Sequence, residues 1–444
     1  MDMQSRIFLW KYNLLKPGSL KYYHELMANE RKSPDELAEL QWRKTFALIE
    51  HAVAHSRFYR KRLADIGAEV GDFRDPASFD AFPVLTRDDL QQHFDDILCD
   101  DTKRSQLNLS STGGSSGKPV AVLIPRAFPR AALGWRMYSW WGLEPAVNWG
   151  RTYRETALSW RSRLRQFVID FPARTVLLNA SSFTEDDMAV FVRRFNRLRP
   201  PLLQGYVGAI DTLAEYVLSH HIEIHRPRAV WVTSAPLTAV QRGRIERAFQ
   251  AEVFDQYGCC EVFWLAAECR AHRGLHVFQD ARRIDFLDAG HRQVPTGQYG
   301  EIAITDLENH AFPIIRYLNG DHGRALAERC SCGCNLQLMD HVAGRISETI
   351  KLPSGRILNG EFITTLFDED YQAVKRFHVH QNKDYSIDIQ VVPNCPAEEM
   401  DKLLQKVVAK LRDNTGNEIP VRAAQVAEIN LIRGKLRFIT SDIK

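Results

Sequence analysis

The chain has 444 residues, 45% of them hydrophobic and 25% charged, which gives a prior of about two to four domains and ample apolar material for a core. Its 58 Lys and Arg stand against 55 Asp and Glu, a formal charge of +3, so neither nucleic acid nor membrane is expected as a partner. No apolar run approaches ~18 residues, and the first apolar stretch is interrupted by Lys11 without a small-residue cleavage site, so a soluble cytoplasmic protein is expected. The eight cysteines are unevenly placed, with Cys269 following Cys259 and Cys260, and Cys330, Cys332 and Cys334 close together. In a reducing compartment such clustering points to metal or chemistry rather than to disulfides.

The first ~65 residues read as helical. Leu37, Leu40, Phe46, Ile49 and Val53 would form one buried face, and Ser33-Pro34-Asp35-Glu36 is a helix start. Residues 119–124 read as a strand after a glycine-rich turn, 228–233 as a buried strand, 238–250 as an amphipathic helix and 252–255 as a further strand. That alternation predicts an α/β fold. Residues 299–305 return to strand. The pattern then changes, with a strand at 384–391, a helix at 397–412 and a strand at 424–432. This divides the chain into a large domain over 1–343 and a small α+β domain over 344–444.

The most informative stretch is Ser110-Ser111-Thr112-Gly113-Gly114-Ser115-Ser116-Gly117-Lys118-Pro119. Its glycines let the backbone turn and aim N–H groups at an anion, its hydroxyls can bond phosphate oxygens, and Lys118 adds charge. It is not a Walker A loop, because Thr112 stands at the first glycine position and Pro119 replaces the magnesium-binding hydroxyl. The absence of GxGxxG disfavours a Rossmann dinucleotide site. A Ser/Gly linker would explain the composition but not the Lys-Pro and apolar strand that follow.

Further segments follow in order: Tyr257-Gly258-Cys259-Cys260-Glu261, Tyr317-Leu318-Asn319-Gly320-Asp321, Gly344-Arg345 and Arg433-Gly434-Lys435-Leu436-Arg437. Together with the loop they resemble the adenylate-forming superfamily of acyl- and aryl-CoA synthetases. Phe58-Tyr59-Arg60, Pro83-Val84-Leu85-Thr86 and Leu203-Gln204-Gly205-Tyr206 resemble its phenylacetate–CoA ligase branch, including capsule-biosynthesis-type relatives. The resemblance covers nearly the whole chain. It implies a large N-terminal adenylate-forming domain and a small, mobile α+β C-terminal domain.

By that resemblance, Thr112, Gly113, Gly114, Ser115, Ser116, Gly117 and Lys118 orient the ATP phosphates. Ser234, Ala235 and Pro236 lie beside adenine, and Tyr257 and Gly258 line the nucleotide and acyl pocket. Asp321 accepts the ribose hydroxyls, Arg345 stands near ribose and phosphate, Glu261 positions Mg²⁺, and Lys435 reaches in for adenylation. The sequence departs from the common pattern at Ser115-Ser116 and Asn319, and at Ser347-Glu348 where an acidic pair is frequent. The reaction implied is attack of a carboxylate, an aromatic acid among the candidates, on MgATP to give acyl-AMP and pyrophosphate. Transfer to coenzyme A would follow; an amine, sugar or carrier thiol is the alternative acceptor.

Trp135, Tyr138, Trp140 and Trp141 suit either an aromatic acyl pocket or ordinary core packing. Cys269, His276, Cys330 and Cys332 offer three thiolates and an imidazole for a structural zinc, with His272 and Cys334 as alternative ligands. A reading of another class is a zinc-stabilised, non-catalytic binding protein. Retention of Glu261, Asp321 and Lys435 together favours the enzyme. A homodimer is left open.

Overall fold

A computed structural model describes residues 3–112, 120–154, 160–235, 237, 239–342, 350–358, 363, 366–367, 370, 373–429 and 439–443. Most of the large part is built on an eight-stranded sheet. Its strands run, edge to edge, Leu338–Met339, Leu275–Val277, Ala266–Glu268, Glu252–Tyr257, Ala229–Thr233, Leu202–Tyr206, Trp149–Tyr153 and Thr175–Asn179. The last five are mutually parallel. Such strands are covered on both faces, which explains why Leu202–Tyr206 and Ala229–Thr233 are buried at every position rather than alternating. Helices Trp160–Asp170, Glu185–Leu198, Val207–Ser219 and Ala239–Phe249 make the crossovers. The expected strands and helix between 228 and 255 therefore stand in the predicted alternation.

The helical start of the chain is four helices, Met3–Leu15, Ser19–Asn29, Pro34–His55 and Arg57–Asp65. Ser33 caps the third: its hydroxyl accepts from the Glu36 N–H at 3.3 Å, while the Glu36 carboxylate accepts from the Ser33 N–H at 2.7 Å. The buried stripe of that helix differs from the expected one. Leu37 and Ile49 are buried, but Leu40, Phe46 and Val53 are only half-buried, and Thr45, Leu48 and Ala52 complete the face. The large apolar residues flank a narrower stripe that small and polar residues fill at steps of three and four.

Leu107–Thr112 and Val120–Pro125 form an antiparallel hairpin closed by Thr112 opposite Val120, so the glycine-rich segment connects its two strands. The segment 113–119 itself lies outside the described residues. A three-stranded antiparallel sheet, Arg282–Leu287, Gly300–Asp306 and Tyr317–Gly323, stands beside the main sheet.

Residues from Ile350 onward have a core of their own, in which Phe377, Val379, Ile389, Met400, Val407 and Val421 are buried together. Its four-stranded sheet runs Val421–Gln425, Ile387–Pro393, Val374–Gln381 and Ile439–Ser441, against helix Ala397–Asn414. The strand expected at 424–432 lies instead at Val421–Gln425, because its register is set by parallel pairing with Ile387–Val391 rather than by its own hydrophobicity. Residues 430–438 lie outside the described residues. One connection reaches back: Ile350–Lys351 pairs with Ile357–Leu358, which pairs with Ser182–Phe183 of the large part through two residue pairs. Ile350, Leu352 and Leu358 meanwhile bury their side chains in the C-terminal core.

Candidate active site and metal centre

In an open parallel sheet the carboxyl ends of the strands are where ligands bind. Here that edge carries Ser234, just past one strand, and Tyr257, the last residue of the next. The two strand ends are tied by the Thr233 hydroxyl, which meets the Gln256 side-chain oxygen at 3.0 Å. Ser234 is exposed and holds φ at 76°, a left-handed conformation unusual for a residue with a Cβ. Ala235 is half-buried beside it, and Pro236 lies outside the described residues. Beyond Tyr257 the chain folds back on itself: Leu265 N–H donates to Tyr257 O at 2.9 Å. Gly258 permits this, since a Cβ there would come within 2.9 Å of the Trp264 nitrogen.

The strand Tyr317–Gly323 faces this turn. Side chains two apart on a strand share a face, and Tyr317, Asn319 and Asp321 are used in that way. Tyr257 OH donates to Asp321 Oδ2 at 3.0 Å, and Asn319 Nδ2 donates to the same oxygen at 2.7 Å. Asn319 Nδ2 also lies 2.7 Å from Tyr257 OH. Tyr317 OH donates to Glu261 Oε1 at 3.0 Å, and both are buried. Burial raises the Tyr257 and Tyr317 hydroxyls well above the ordinary tyrosine range, reinforced by Asp321 beside the first and Glu261 beside the second. Both phenols are therefore donors, not anions.

Cys259 lies in the same turn, its sulfur accepting the Val262 N–H at 3.3 Å. Burial, then Glu261, raises its thiol well above the usual range, with Cys260 and Asp321 adding to the effect. A protonated thiol is a poor nucleophile, which agrees with a wall of a pocket rather than a covalent catalyst. Ser110, in the first strand of the hairpin, donates to Cys260 O at 3.1 Å. The stem of the glycine-rich loop thus stands against the 257–261 turn. The structure brings Tyr257, Gly258, Glu261 and Asp321 together with that stem; Arg345 and Lys435 lie outside the described residues, as does the loop 113–119.

Several residues quoted only as motif matches acquire a physical role as braces of this strand. Tyr59 OH donates to Pro313 O at 3.0 Å and accepts from Ile315 N–H at 3.3 Å, fixing the approach to Tyr317. Leu85 bridges the strand itself, with N–H to Arg316 O at 3.0 Å and Leu318 N–H to Leu85 O at 2.9 Å. Arg316 is buried and donates to the carbonyls of Phe79, Asp80, Phe82 and His291 at 2.6–2.8 Å. Sequence reasoning gave no role to Tyr317 or Asn319, although the two-residue spacing to Asp321 was a signal for both.

The aromatic cluster is core. Trp135, Tyr138 and Trp141 are buried among Phe8, Trp231 and Phe254, and the half-buried Trp140 donates to Glu30 at 2.8 Å.

Cys269 follows the strand Ala266–Glu268, His276 is central in Leu275–Val277, and Cys330 and Cys332 belong to the loop before Leu338–Met339. Their four ligand atoms lie within 4.8 Å of one another. Cys269 Sγ is 3.5 Å from Cys330 Sγ, and Cys332 Sγ is 3.3 Å from His276 Nε2. Tetrahedral zinc with Zn–S near 2.3 Å asks for ligand separations of roughly 3.5–3.8 Å, so small side-chain adjustments would close this set around an ion. His276 Nδ1 is 3.2 Å from Leu336 O, which directs Nε2 toward the thiols. Burial lowers the His276 pKa to about 4, keeping the ring neutral as a ligand must be. Ala271 and Cys334 N–H groups each donate to a thiol, at 3.4 Å. The two alternative ligands go elsewhere. His272 stacks on Phe254 and faces Glu252 and Glu268, while Cys334 is buried with Leu37 and Leu336.

A second charged network adjoins it that the sequence did not suggest, its members being scattered from 242 to 341. Buried Glu268 takes both oxygens to Arg242 at 2.8–2.9 Å and accepts the Asp255 N–H at 2.8 Å. His341 bridges Asp255 at 3.2 Å and Glu268 at 3.3 Å.

No protein-family model matches the chain. A solved 2-hydroxyisobutyryl-CoA ligase, in complex with 2-HIB-AMP and CoA in the thioesterification state, superposes with a TM-score of 0.65 at 20% identity, covering 93% of this chain and 92% of that one. The chain has the fold of the adenylate-forming ligases. Among curated proteins, the chain is 24% identical to Protein CapK of Staphylococcus aureus over 447 residues, 97% of this chain and 94% of that protein. It is 22% identical to a phenylacetate-coenzyme A ligase of Thermus thermophilus over 325 residues, 71% of this chain and 72% of that protein. It is a distant relative of both.

Proposed function

We propose that this protein is an ATP-dependent ligase that activates a small carboxylic acid as its acyl-adenylate and then passes the acyl group to coenzyme A. The observation that carries the reading is a pair of bonded polar sets, Tyr317 with Glu261 and Asp321 with Tyr257 and Asn319, at the carboxyl edge of a parallel sheet and beside the stem of a glycine-rich loop. Asp321, pre-oriented by Asn319 and Tyr257, can accept two ribose hydroxyls because one carboxylate offers two oxygens. A carboxylate oxygen of the acid attacks the α-phosphorus, the bond to the bridging oxygen breaks, and pyrophosphate leaves. Two anions must meet, so charge stabilisation is the main catalytic need. Glu261 is the residue placed to hold magnesium, which when bound neutralises phosphate charge. Lys435 supplies an ammonium, and Thr112 to Lys118 restrain the leaving group. In the second step the thiol sulfur bonds to the acyl carbon and AMP departs.

The same reading assigns Cys269, His276, Cys330 and Cys332 to a structural zinc: four protein ligands fill a tetrahedral shell and leave no position for water. It divides the chain near residue 344 and makes the later part the carrier of Lys435. A need for ATP and coenzyme A as co-substrates supports a cytoplasmic site of action.

The test is ATP–pyrophosphate exchange over a carboxylate panel that includes phenylacetate and short 2-hydroxy acids. Exchange that requires ATP, magnesium and one class of acid supports the reading. ATP binding without exchange on any acid would return the protein to the non-catalytic alternative.

A further inference from the structure

Fifteen large apolar side chains are exposed among the described residues, and ten of them lie on two neighbouring helices and the residue just after the second. On Met3–Leu15, the residues Ile7, Trp10 and Leu14 recur at steps of three and four along the outer face, while Phe8 and Leu9 on the other face enter the core. On Trp160–Asp170, the residues Trp160, Leu164 and Phe167 recur at steps of four and three. Trp10 is 68% exposed, Trp160 70% and Phe167 65%. Singly exposed apolar residues are ordinary; a contiguous patch of this kind marks an interaction surface.

The two helices lie side by side. Lys11 Nζ, on the first, donates to Val168 O at 2.6 Å and to Phe171 O. A groove of about 450 Å³ runs between them, lined by Leu15, Lys16, Trp160, Arg161, Leu164 and Arg165. The sequence from Met3 to Lys16 and from Trp160 to Asp170 holds six basic residues and a single acid, Asp170, an excess larger than the +3 of the entire chain. Asp170 is half-buried and bonded to Gln166 at 2.8–2.9 Å. Among the described residues neither Arg161 nor Arg165 forms an ion pair, and Lys16 is set near Arg165 and Arg130, cation beside cation.

We propose that this face docks on an anionic lipid bilayer, with the indole and alkyl groups entering the headgroup region and the basic rim meeting lipid phosphates. Exposed Trp and Leu on one face with Lys and Arg alongside are the chemistry of helices that lie in an interface rather than cross it. No helix of the described residues is long and apolar enough to cross a membrane, which fits a peripheral attachment. A second copy of the chain is the poorer occupant, because self-pairing would press two cationic faces together. An anionic surface neutralises the same charge. The near-neutral composition of the whole chain concealed this, the excess being confined to two helices.

The experiment is co-sedimentation of the full chain with phosphatidylcholine vesicles, with and without phosphatidylglycerol. Binding is expected with phosphatidylglycerol, weakened by high salt, and small without it. The double variant Trp10→Asp, Leu164→Asp changes two exposed side chains, so pyrophosphate exchange and unfolding temperature should hold while vesicle binding falls at least about tenfold. Lys16→Glu with Arg165→Glu should abolish the preference for phosphatidylglycerol. Absence of wild-type binding, or equal binding by the Trp10/Leu164 variant, overturns the proposal. So does a wild-type dimer in sedimentation equilibrium that the same variant converts to monomer, which would make the face a contact between copies.

Discussion

Replacing Asp321 by Asn isolates the ribose-binding role from the architecture around it. The side chain keeps its shape, and an amide oxygen in the Oδ2 position can still accept from both Tyr257 and Asn319, which bond that one oxygen. What is lost is the charge and one acceptor oxygen. Hydrogen bonds to a charged group contribute about 1.5–3 kcal/mol each. Losing one such bond and weakening another should cost about 2–3 kcal/mol of nucleotide affinity, or roughly 30- to 150-fold in Kd. Calorimetry with a non-hydrolysable ATP analogue measures it, beside a thermal unfolding curve showing that the variant is folded. The sharper comparison uses the 2′,3′-dideoxy form of the analogue. Wild type should bind it much more weakly than the ribose form, and the variant should bind the two nearly alike. A variant that still discriminated fully between them would remove Asp321 from the ribose site.

Lys435→Ala should leave nucleotide affinity near wild type, because the proposed function assigns binding to Asp321 and the glycine-rich loop. Pyrophosphate exchange should fall on the order of a hundredfold, while thiolysis of supplied acyl-AMP suffers far less; unchanged exchange would make Lys435 a solvated turn residue. Protein purified without a metal-affinity step should hold close to one zinc per chain, and Cys330→Ser or a strong chelator should lower both zinc content and unfolding temperature. A zinc-free wild type would sink the metal assignment. Hydrogen bonds that His341 donates to Asp255, then to Glu268, raise its pKa to about 10. This is above the value of about 6.5 for an unfolded chain, so its stabilisation is complete below pH 6.5 and is lost as pH rises through 10. His341→Gln should flatten the decline of unfolding temperature across that window. The half-exposed ring makes the effect modest, and an identical decline in the variant would refute it.

The parallel strand at 229–233 was legible because a strand covered on both faces is apolar, and Ala-Val-Trp-Val is; the strand at 252–257 showed itself by Val-Phe alone, its Asp255 and Gln256 being buried polar residues. The strand at 421–425 was not, since Val-Arg-Ala-Ala-Gln has little hydrophobic signal and owes its extent to a neighbour's register. Cysteine spacing proposed a thiol-rich site without being able to choose its fourth ligand. The choice between His272 and His276 is made by the fold, which turns one ring toward Glu268 and the other toward Cys332. The tryptophans near 135–141 posed the same difficulty: helical spacing fits a pocket and a core equally, and only packing against Phe254 and Trp231 separates them. Tyr257, Glu261 and Asp321 could be named from motif order, yet their mutual bonding depends on a strand whose position is set by Tyr59, Leu85 and Arg316.

The pairing of Ile357 and Leu358 with Phe183 and Ser182 has a kinetic and statistical meaning. Leu358 belongs to the C-terminal core by side chain while its strand pairs with the large part by backbone, so the pairing is a latch between the two cores. A net hydrogen bond is worth about 1 kcal/mol, and a latch of two paired positions therefore biases docked over released arrangements by roughly 30-fold. If the C-terminal part moves as the resemblance implies, such a bias makes the paired arrangement the resting one. It is also small enough that a ligand preferring the released arrangement by two orders of magnitude would reverse the populations, without any change in covalent structure or in the two cores on either side.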